Sequence, residues 1–312
     1  MKPMNNKEST PRVSIGLPVY NGARYVSECI SSILGQTFED FELIICDNAS
    51  TDETEEICRR FAEQDHRVRY YRNERNLGAA PNFNLTFEKA RGEYFKWAAH
   101  DDICLPDYLA ECVRVLDSDE TVVLCTVQTE WIDADGSRTA KLDETLKCFG
   151  AREQEDRLEE LLFKNHWWTD VFGLVRRSVL AKTDLLGSYS ASDCVLMADL
   201  VLRGRFYRVP RALFLLRDHA ARSSRSLNMW QRAVWFNTAN HWRFQFPYWR
   251  LVREYLKVVF RVPLPPRVRW ICFWKIFRWS MVNHRRLLGD IKKMLLSLSL
   301  KSGKPNARPI RT

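Results

Sequence analysis

The chain has 312 residues, 46% of them hydrophobic and 12% aromatic, which is enough for one large domain and an appendage. Its nine cysteines include no CxxC pair, which argues against a disulfide framework and indicates reduced, mostly buried thiols in a cytosolic protein. From His219 onward there are 20 Lys and Arg residues and two acidic residues, so this part has a net charge of +18 and the rest of the chain has a net charge of −9. We therefore expect the basic part to bind an anionic membrane or nucleic acid.

Short apolar runs alternate with segments of helical periodicity through the first half of the chain. Residues 1–11 lack an apolar core, and we expect a flexible N-terminus that is not a secretory signal. The predicted strands are 13–20, 41–46, 68–71, 94–98 and 122–127, and the predicted helices are 23–34, 52–62, 82–90 and 106–116. This alternation predicts an α/β fold with a mostly parallel sheet flanked by helices.

Polar residues follow four of the predicted strands in succession. They are Tyr20-Asn21, Asp47, Asn76 and His100-Asp101-Asp102, in chain order. Because ligands of such sheets bind outside the carboxyl ends of the strands, we expect these side chains to form one site. Neither GxGxxG nor GxxxxGKS/T is present, which argues against a dinucleotide-binding oxidoreductase and a P-loop enzyme.

Asp101 and Asp102 are adjacent carboxylates, and like charges this close repel unless a partner neutralises them. Mg²⁺ or Mn²⁺ would do so, since hard divalent cations bind one or two carboxylates together with substrate phosphates. The structural alternative is that the two carboxylates cap the helix near Pro106. Asp47 also has a structural alternative, as the first residue of an Asx-turn.

Together, these segments resemble the successive motifs of family 2 glycosyltransferases. The resemblance spans residues 12–226 and rests on the order and spacing of Pro18-Val19-Tyr20-Asn21, Cys46-Asp47-Asn48-Ala49-Ser50-Thr51-Asp52, Asn76-Leu77-Gly78, His100-Asp101-Asp102 before Pro106, Gly173-Leu174-Val175-Arg176-Arg177, Ser192-Asp193 with Leu196, and Arg217-Asp218-His219. Members of that family have the Rossmann-like GT-A fold and invert the anomeric centre. The resemblance therefore implies that fold and that chemistry for residues 12–226.

The resemblance implies a role for each matching position. Tyr20 would stack on the nucleotide base, and Asp47 would accept a hydrogen bond from the base imide N–H. The metal ligands on the diphosphate would be Asp101 and His219. The residues implied on the donor side are Pro18, Tyr20, Asn21, Asp47, Asn76, Gly78, His100 and Asp102. Ala99 departs from the family's DxD motif, so one ribose or metal contact is either missing or supplied by His100.

Asp193 matches the position of the family's general base. It would remove the acceptor proton while the hydroxyl attacks the anomeric carbon opposite the leaving diphosphate. The structural alternative is that Ser192 or Asp193 only caps the helical stretch that runs to Leu202.

Further contacts are predicted around the reacting groups. Trp168 and Arg177 lie where acceptors bind in relatives, and tryptophan faces suit sugar rings. Arg177, Arg217 and Arg222 are candidates for phosphate contacts by bidentate geometry, and the favoured alternative for each is a solvated surface role.

Residues 227–300 are predicted to form a helical extension rich in basic and aromatic residues, and residues 301–312 a disordered tail. The side chains that share one face at helical spacing are Trp270, Phe273, Trp274, Phe277 and Met281. Three interpretations stay open. The face lies in a membrane interface, or it packs on the catalytic domain, or the basic residues bind nucleic acid, for which no motif is present.

The sequence thus predicts a glycosyltransferase that uses a UDP- or dTDP-linked sugar with Mg²⁺ or Mn²⁺ and serves the synthesis of a cell-surface polysaccharide or glycolipid. The acceptor would be a sugar or a lipid-linked sugar. The protein would be cytoplasmic, at the inner face of the membrane if 227–300 contacts lipid, with no nucleic-acid partner. One alternative is a nucleotidyltransferase, which normally has a Gly-rich basic loop after its first strand. The other is a membrane-associated adaptor with a degenerate catalytic domain.

Overall fold

The computed structural model describes residues 10–142, 151–164, 168–220 and 246–302, together with residues 222, 231, 235, 236 and 238. The chain divides into two compact units, Met1–His241 and Trp242–Thr312. The division falls later than the boundary after residue 226 that the composition suggested. Most of the predicted flexible N-terminus and of the predicted disordered tail lies outside the described residues.

The first unit is built on one sheet, which has nine strands in the described residues. They are β1 Val13–Val19, β2 Phe41–Asp47, β3 Val68–Arg72, β4 Tyr94–Trp97, β5 Ile103–Cys104, β6 Val122–Ile132, β7 Arg138–Leu142, β8 Leu174–Arg176 and β9 Arg205–Arg217. Their order is β3-β2-β1-β4-β8-β6-β9-β5, with β7 paired to β6. The pairs among β1 to β4 and the pair β6–β9 are parallel, whereas β5, β7 and β8 pair antiparallel. The predicted α/β fold with a mostly parallel sheet is confirmed.

The helices occupy the connections between these strands. In the first unit they are α1 Val26–Leu34, α2 Thr54–Gln64, α3 Ala79–Glu88, α4 Tyr108–Ser118, α5 Gln154–Phe163, a 3-10 helix Trp168–Phe172, α6 Arg177–Leu180 and α7 Ser192–Arg203. The four helices predicted in the first half are present, with ends that differ by a few residues. The largest differences are three residues: α1 begins three residues after its predicted start, and α3 begins three residues before its predicted start.

The core lies between the sheet and helices on both of its faces. All seven residues of β1 and of β2 are buried, as expected for strands in the middle of a parallel sheet. Ile15 and Leu17 face a cluster that includes side chains of α1 and α4. Gly16, between them, faces the opposite side, where Thr86 of α3 lies against it.

The strand directions bring six carboxyl ends to one edge of the sheet. β8 is antiparallel to both β4 and β6, so β6 and its parallel partner β9 run in the same direction as β1 to β4. The chain therefore leaves β1, β2, β4 and β9 at the same edge, which we call the carboxyl edge. Asn21, Asp47, Asp101 and His219 all lie at or just beyond these four strand ends.

The second unit contains three helices in its described residues, α8 Pro247–Arg261, α9 Pro266–Val282 and α10 His284–Ser302. Proline begins both α8 and α9, a position where its missing N–H costs nothing. Tyr255 of α8 and Trp279 of α9 are buried and pack edge to face, with ring centroids 5.5 Å apart. Among the described residues, no helix has the length and apolar character needed to cross a bilayer.

Candidate active site

The loop after β1 is held in an unusual backbone conformation. Asn21 has a φ of 50°, in the left-handed region that asparagine tolerates better than most residues. Its N–H donates to Ser50 Oγ at 2.9 Å, and its Oδ1 accepts from Thr51 N–H at 2.9 Å. Tyr20, just before it, is exposed. Pro18 is buried within β1, opposite Cys46 of β2. The loops after β1 and β2 are thus joined, with an exposed aromatic ring beside them.

Asp47 ends β2 and is completely buried. One oxygen accepts from the Ser50 N–H at 2.9 Å, so the Asx-turn expected as a structural alternative is present. The other accepts from the Tyr70 hydroxyl at 2.8 Å, and burial together with this bond raises the pKa of Tyr70. Arg72 Nε lies 3.7 Å from this second oxygen, and since each carboxylate oxygen has two lone pairs, these contacts do not use all of its acceptor capacity.

Four asparagine side chains connect the ends of β2 and β3 to α3. Asn48 Nδ2 donates to Asn76 Oδ1 at 2.9 Å, and Asn73 Nδ2 donates to Asn48 Oδ1 at 3.0 Å and to Asn82 Oδ1 at 2.9 Å. Asn76 Oδ1 also accepts a hydrogen bond from the Gly78 N–H. Gly78 has a φ of 90°, a backbone conformation that residues other than glycine rarely adopt. Asn76 and Gly78 therefore shape the loop. Asn73 and Asn82 were missed from the sequence, although asparagines clustered near strand ends are a signal of such networks.

Asp101 and His219 meet across the carboxyl edge. His219 Nε2 lies 2.9 Å from Asp101 Oδ2, and both side chains are mostly buried. Burial alone would raise the pKa of Asp101, but the hydrogen bond with His219 and the nearby His100 hold this pKa below its ordinary value. His100 packs on Gly22 of the β1 loop, where an added Cβ would lie 2.7 Å from the ring. The pairing joins residues 118 positions apart in the sequence.

Asp102 is more deeply buried and points to a different partner. Its Oδ1 accepts the Arg217 backbone N–H at 2.9 Å. Burial, followed by the charge of neighbouring Asp101, raises the pKa of Asp102 well above its ordinary value. The environments of the two adjacent carboxyls thus move their pKa values in opposite directions, and Asp101 is the one that favours the ionised form.

Arg217 braces the loop that carries both carboxyls. The side chain is only 2% exposed, its Nε donates to the Asp101 carbonyl at 2.9 Å, and its Nη2 donates to Glu28 Oε2 at 2.5 Å. Its guanidinium lies over the Tyr25 ring at 4.7 Å, and that ring is 5.0 Å from the His219 ring. The prediction that Arg217 contacts a phosphate is therefore wrong, because its donors are already directed at protein oxygens. Tyr25 was not predicted from the sequence.

Asp193 lies in the first turn of α7, where the helix dipole favours a negative charge. Ala191 occupies the N-cap position of this helix, so Ser192 and Asp193 are its first two helical residues. Ala191, immediately before the helix, has a φ of 62°. Among the described residues, the non-glycine positions with positive φ are Asn21, Ala49, Leu185 and Ala191; the first two lie within predicted motifs, Ala191 immediately precedes one, and Leu185 lies in none. Backbone strain of this kind clusters at functional sites.

Known proteins resemble this chain both in sequence and in fold. The model of the family described as Glycosyl transferase family 2 matches residues 14–183, which is more than half of the chain. The chain belongs to glycosyl transferase family 2. A relative from Rickettsia typhi, an uncharacterized glycosyltransferase, is 34% identical over 125 residues that make up 39% of this chain and 38% of the relative. Glycosyltransferase GlyG of Streptococcus pneumoniae is 33% identical over 40% of this chain and 42% of GlyG.

The alignments cover well under two thirds of these relatives' own lengths. Solved structures match over more of the chain. The S. aureus TarS 1–349 complex with UDP-GlcNAc has a TM-score of 0.67 at 14% identity, over 89% of this chain and 79% of that one. The mannosyltransferase PcManGT from Pyrobaculum calidifontis, in complex with GDP-Man and Mn²⁺, has a TM-score of 0.55 at 18% identity, over 96% and 77%. These similarities show that the family 2 chain shares its fold with both, and the predicted GT-A fold is confirmed.

The residues present suit a divalent cation bound jointly with a ligand. Asp101 Oδ2 and His219 Nε2 are close enough to share one ion, and carboxylate oxygen with imidazole nitrogen is an acceptable donor pair for Mn²⁺. Within the described ranges, no group of three or more His, Cys, Asp and Glu surrounds a common metal position. Ala99, in place of an acid, is consistent with that finding. Remaining ligands would have to come from diphosphate oxygens and water.

The structure does not bring both predicted acceptor residues to the carboxyl edge. Trp168 begins the 3-10 helix that leads into β8 from that edge, but its side chain lies outside the described residues. Arg177 follows the other end of β8, at the amino edge of β4, where its Nε donates to the Gly92 carbonyl at 2.6 Å. An acceptor role for Arg177 is not supported, because β8 runs antiparallel to β4 and carries the chain from the carboxyl edge to the amino edge. Arg222 lies over the Trp131 ring at 5.0 Å.

Proposed function

We propose that this chain is an inverting glycosyltransferase that moves a sugar from a nucleoside diphosphate sugar to an acceptor hydroxyl. The observation that carries the proposal is the convergence of Asp47, Asp101 and His219 at one edge of the sheet, beyond the ends of β2, β4 and β9. The family membership and the similarity to structures that hold UDP-GlcNAc or GDP-Man support it.

On this proposal, the donor nucleotide lies along the loops after β1, β2 and β3. Asp47 accepts the imide N–H of uracil or thymine, which favours a UDP- or dTDP-linked donor. The exposed ring of Tyr20 stacks on the base, and the loop fixed by Asn76 and Gly78 closes the nucleotide side. Asp101 and His219 would hold the divalent cation, Mg²⁺ or Mn²⁺, which would offset negative charge on the diphosphate.

The transfer step needs one proton acceptor. Asp193 takes the proton of the acceptor hydroxyl, whose oxygen forms a bond to the anomeric carbon from the side opposite the diphosphate. The bond between that carbon and the diphosphate oxygen breaks, and its electrons leave with the diphosphate. The sugar is thereby transferred with inversion. α7 ends two residues before β9 begins at the amino edge, which supports a position of the first turn of α7 away from that edge.

The proposal also includes the chemical class of the acceptor and the location of the protein. We infer a sugar or lipid-linked sugar on the pathway to a cell-surface polysaccharide or glycolipid, with the protein at the cytoplasmic face of a membrane, where nucleotide sugars are available. The basic helical unit supports this location, since cytoplasmic leaflets carry anionic lipids.

The experiment is a donor screen on the full chain. UDP-, dTDP- and GDP-linked sugars are added with Mn²⁺, and thermal unfolding is followed together with release of nucleoside diphosphate. A donor at about 100 times its Kd stabilises the fold by about 2.7 kcal/mol, a readily measured increase in Tm. We expect a UDP- or dTDP-sugar to stabilise the fold and to release the nucleoside diphosphate. Release of pyrophosphate would instead identify a nucleotidyltransferase, and stabilisation by none of the donors would overturn the proposal.

A further inference from the structure

The second unit exposes a continuous set of large apolar side chains on α8 and α9. We call this set the aromatic face, and its members are Phe260, Trp270, Trp274, Phe277 and Met281. Trp270 is 74% exposed and Trp274 is 66% exposed, values that tryptophan rarely reaches in a folded protein without a functional reason. Phe273 joins the two helices, with ring centroids 5.0 Å from Phe260 and 5.9 Å from Trp270.

The packing needs of α9 are already met by its other side. Cys272, Lys275, Ile276 and Trp279 are its buried residues, and helical spacing sets them opposite Trp270, Trp274, Phe277 and Met281. Four of the five residues of the stripe predicted from the sequence, all except the half-buried Phe273, are therefore exposed. An apolar face that contributes nothing to the core of its own unit requires another explanation.

The charged surface of this unit is of one sign. Its two acids, Glu254 and Asp290, are both buried; Arg253 and Lys257 bond to Glu254, and the Tyr248 N–H donates to Asp290 at 2.8 Å. Within 246–302, the charged side chains that the structure describes as exposed are all basic. They are Arg253, Lys257, Arg267, Arg278, Arg285, Arg286 and Lys292. Arg267 and Arg278 lie on α9 beside the aromatic face.

We propose that the aromatic face is a docking surface for an anionic lipid bilayer, with its rings and Met281 in the headgroup region and the adjacent arginines on lipid phosphates. Tryptophan prefers that boundary because one end of its ring is apolar and the other can donate a hydrogen bond. Basic side chains add electrostatic attraction to the lipid. This inference deepens the membrane location in the proposed function by naming the surface that binds lipid, and it does not depend on which donor the first unit binds.

Two other occupants fit the surface less well. A second copy of this chain would bring the positively charged arginines of both copies together around the aromatic face, and their repulsion opposes dimerisation. A nucleic acid would use the rings for base stacking, but the exposed apolar side chain of Met281 belongs to the same face of α9. Aliphatic side chains gain from contact with acyl chains and gain little from contact with bases.

The experiment is sedimentation of the full chain with vesicles of phosphatidylcholine alone and of phosphatidylcholine with phosphatidylglycerol, at low and high salt. We expect binding to the mixed vesicles that weakens at high salt. In R267Q/R278Q, the partition coefficient at low salt falls about 25-fold, since each basic residue near the surface contributes about fivefold. In W270S/W274S, it falls at both salt concentrations, because the apolar contribution is not screened.

Matched control variants separate these effects from general changes in charge and hydrophobicity. R60Q/R152Q removes two exposed arginines from the first unit, and Tyr207→Ser removes an exposed aromatic side chain there. Both are expected to bind vesicles as the wild type does, and circular dichroism checks that every variant is folded. The proposal is overturned if the wild type does not bind the mixed vesicles at low salt, or if W270S/W274S binds as well as the wild type.

Two further outcomes would assign the aromatic face to another occupant and likewise overturn the proposal. One is a wild-type dimer in sedimentation equilibrium that becomes a monomer in W270S/W274S while vesicles are not bound. The other is retention of a single-stranded oligonucleotide, lost in R267Q/R278Q, again without vesicle binding. Donor binding measured on the same preparations shows independently whether the first unit is active.

Discussion

Replacing Arg217 by Met tests whether this side chain braces the loop of Asp101 and Asp102. Arg217→Met removes the hydrogen bond to the Asp101 carbonyl at 2.9 Å, the ion pair with Glu28 at 2.5 Å and two weaker bonds to the carbonyls of Asp133 and Ala134. The methionine keeps an apolar contact with the Tyr25 ring, so the substitution removes donors more than volume.

The expected loss of stability follows from which partners stay buried. Removing one member of a fully buried ion pair costs about 3–5 kcal/mol, because the other charge is left without a partner. The Glu28 side chain is 52% exposed, so water can replace the guanidinium there. The main loss is then the hydrogen bonds to the loop carbonyls, and we expect about 2–3 kcal/mol. For a unit of this size that corresponds to a decrease in Tm of about 5–10 °C.

The assay is thermal unfolding by circular dichroism, with Arg211→Met as the matched control. Arg211 also bridges two acids, Asp107 and Glu111, but it is on the surface, so its loss is expected to change Tm much less. Donor binding in the presence of Mn²⁺, measured by calorimetry below the Tm of the variant, should weaken for Arg217→Met and not for Arg211→Met. Equal Tm values for the two variants would refute the bracing role of Arg217.

Three further predictions address the reaction and the fold. Asp193→Asn is expected to lower the transfer rate by about 10²–10⁴-fold while calorimetry shows unchanged donor binding; loss of both would indicate a structural role instead. Asp101→Ala is expected to make donor binding independent of Mn²⁺, and wild-type turnover that persists in excess EDTA would contradict this. Glu42 is buried, and although burial alone would raise its pKa, hydrogen bonds from Ser14, then from the Arg91 backbone N–H and then from Arg69 hold that pKa below its ordinary value of about 4.3. Its stabilising contribution is therefore present above about pH 4.3 and lost as the pH falls through the lower folded-state pKa. Glu42→Gln should lower the unfolding free energy at pH 7 by about 2 kcal/mol, with a difference from wild type that shrinks on acidification; a difference that is constant with pH would be inconsistent with this role.

The local sequence pattern was sufficient to predict the strands in the first half of the sheet. β1 and β2 are runs of mostly apolar residues that end at Val19 and Asp47, and such runs have few alternatives to a buried strand. The polar residues just beyond them were recognisable for the same reason, since they interrupt an apolar run at a defined point. Asp47 and Asp101 can therefore be selected as site residues from the order of residues along the chain.

β9 illustrates what local pattern does not reveal. It runs from Arg205 to Arg217 and contains Pro210, which normally argues against a strand inside a sheet. The pairing with β6 shifts register between Val209 and Ala212, so Pro210 falls at an irregularity where a missing N–H costs no ladder hydrogen bond. Only the partner strand makes the proline tolerable, and the partner is some 80 residues away in the sequence.

The order of strands and helices, and the polar residues that follow the strands, can be predicted from the sequence because they depend on periodicities of a few residues. Tertiary structure alone decided which arginine reaches which partner: Arg217 bonds to Glu28, 189 positions away, and Arg177 follows β8 to the far edge of the sheet. It also decided that Trp270 is exposed while Trp279 is buried, although both lie on the same helix. The burial of a side chain and the partner it bonds to depend on contacts between distant segments of the chain. These contacts cannot be predicted from the spacing of residues along one segment.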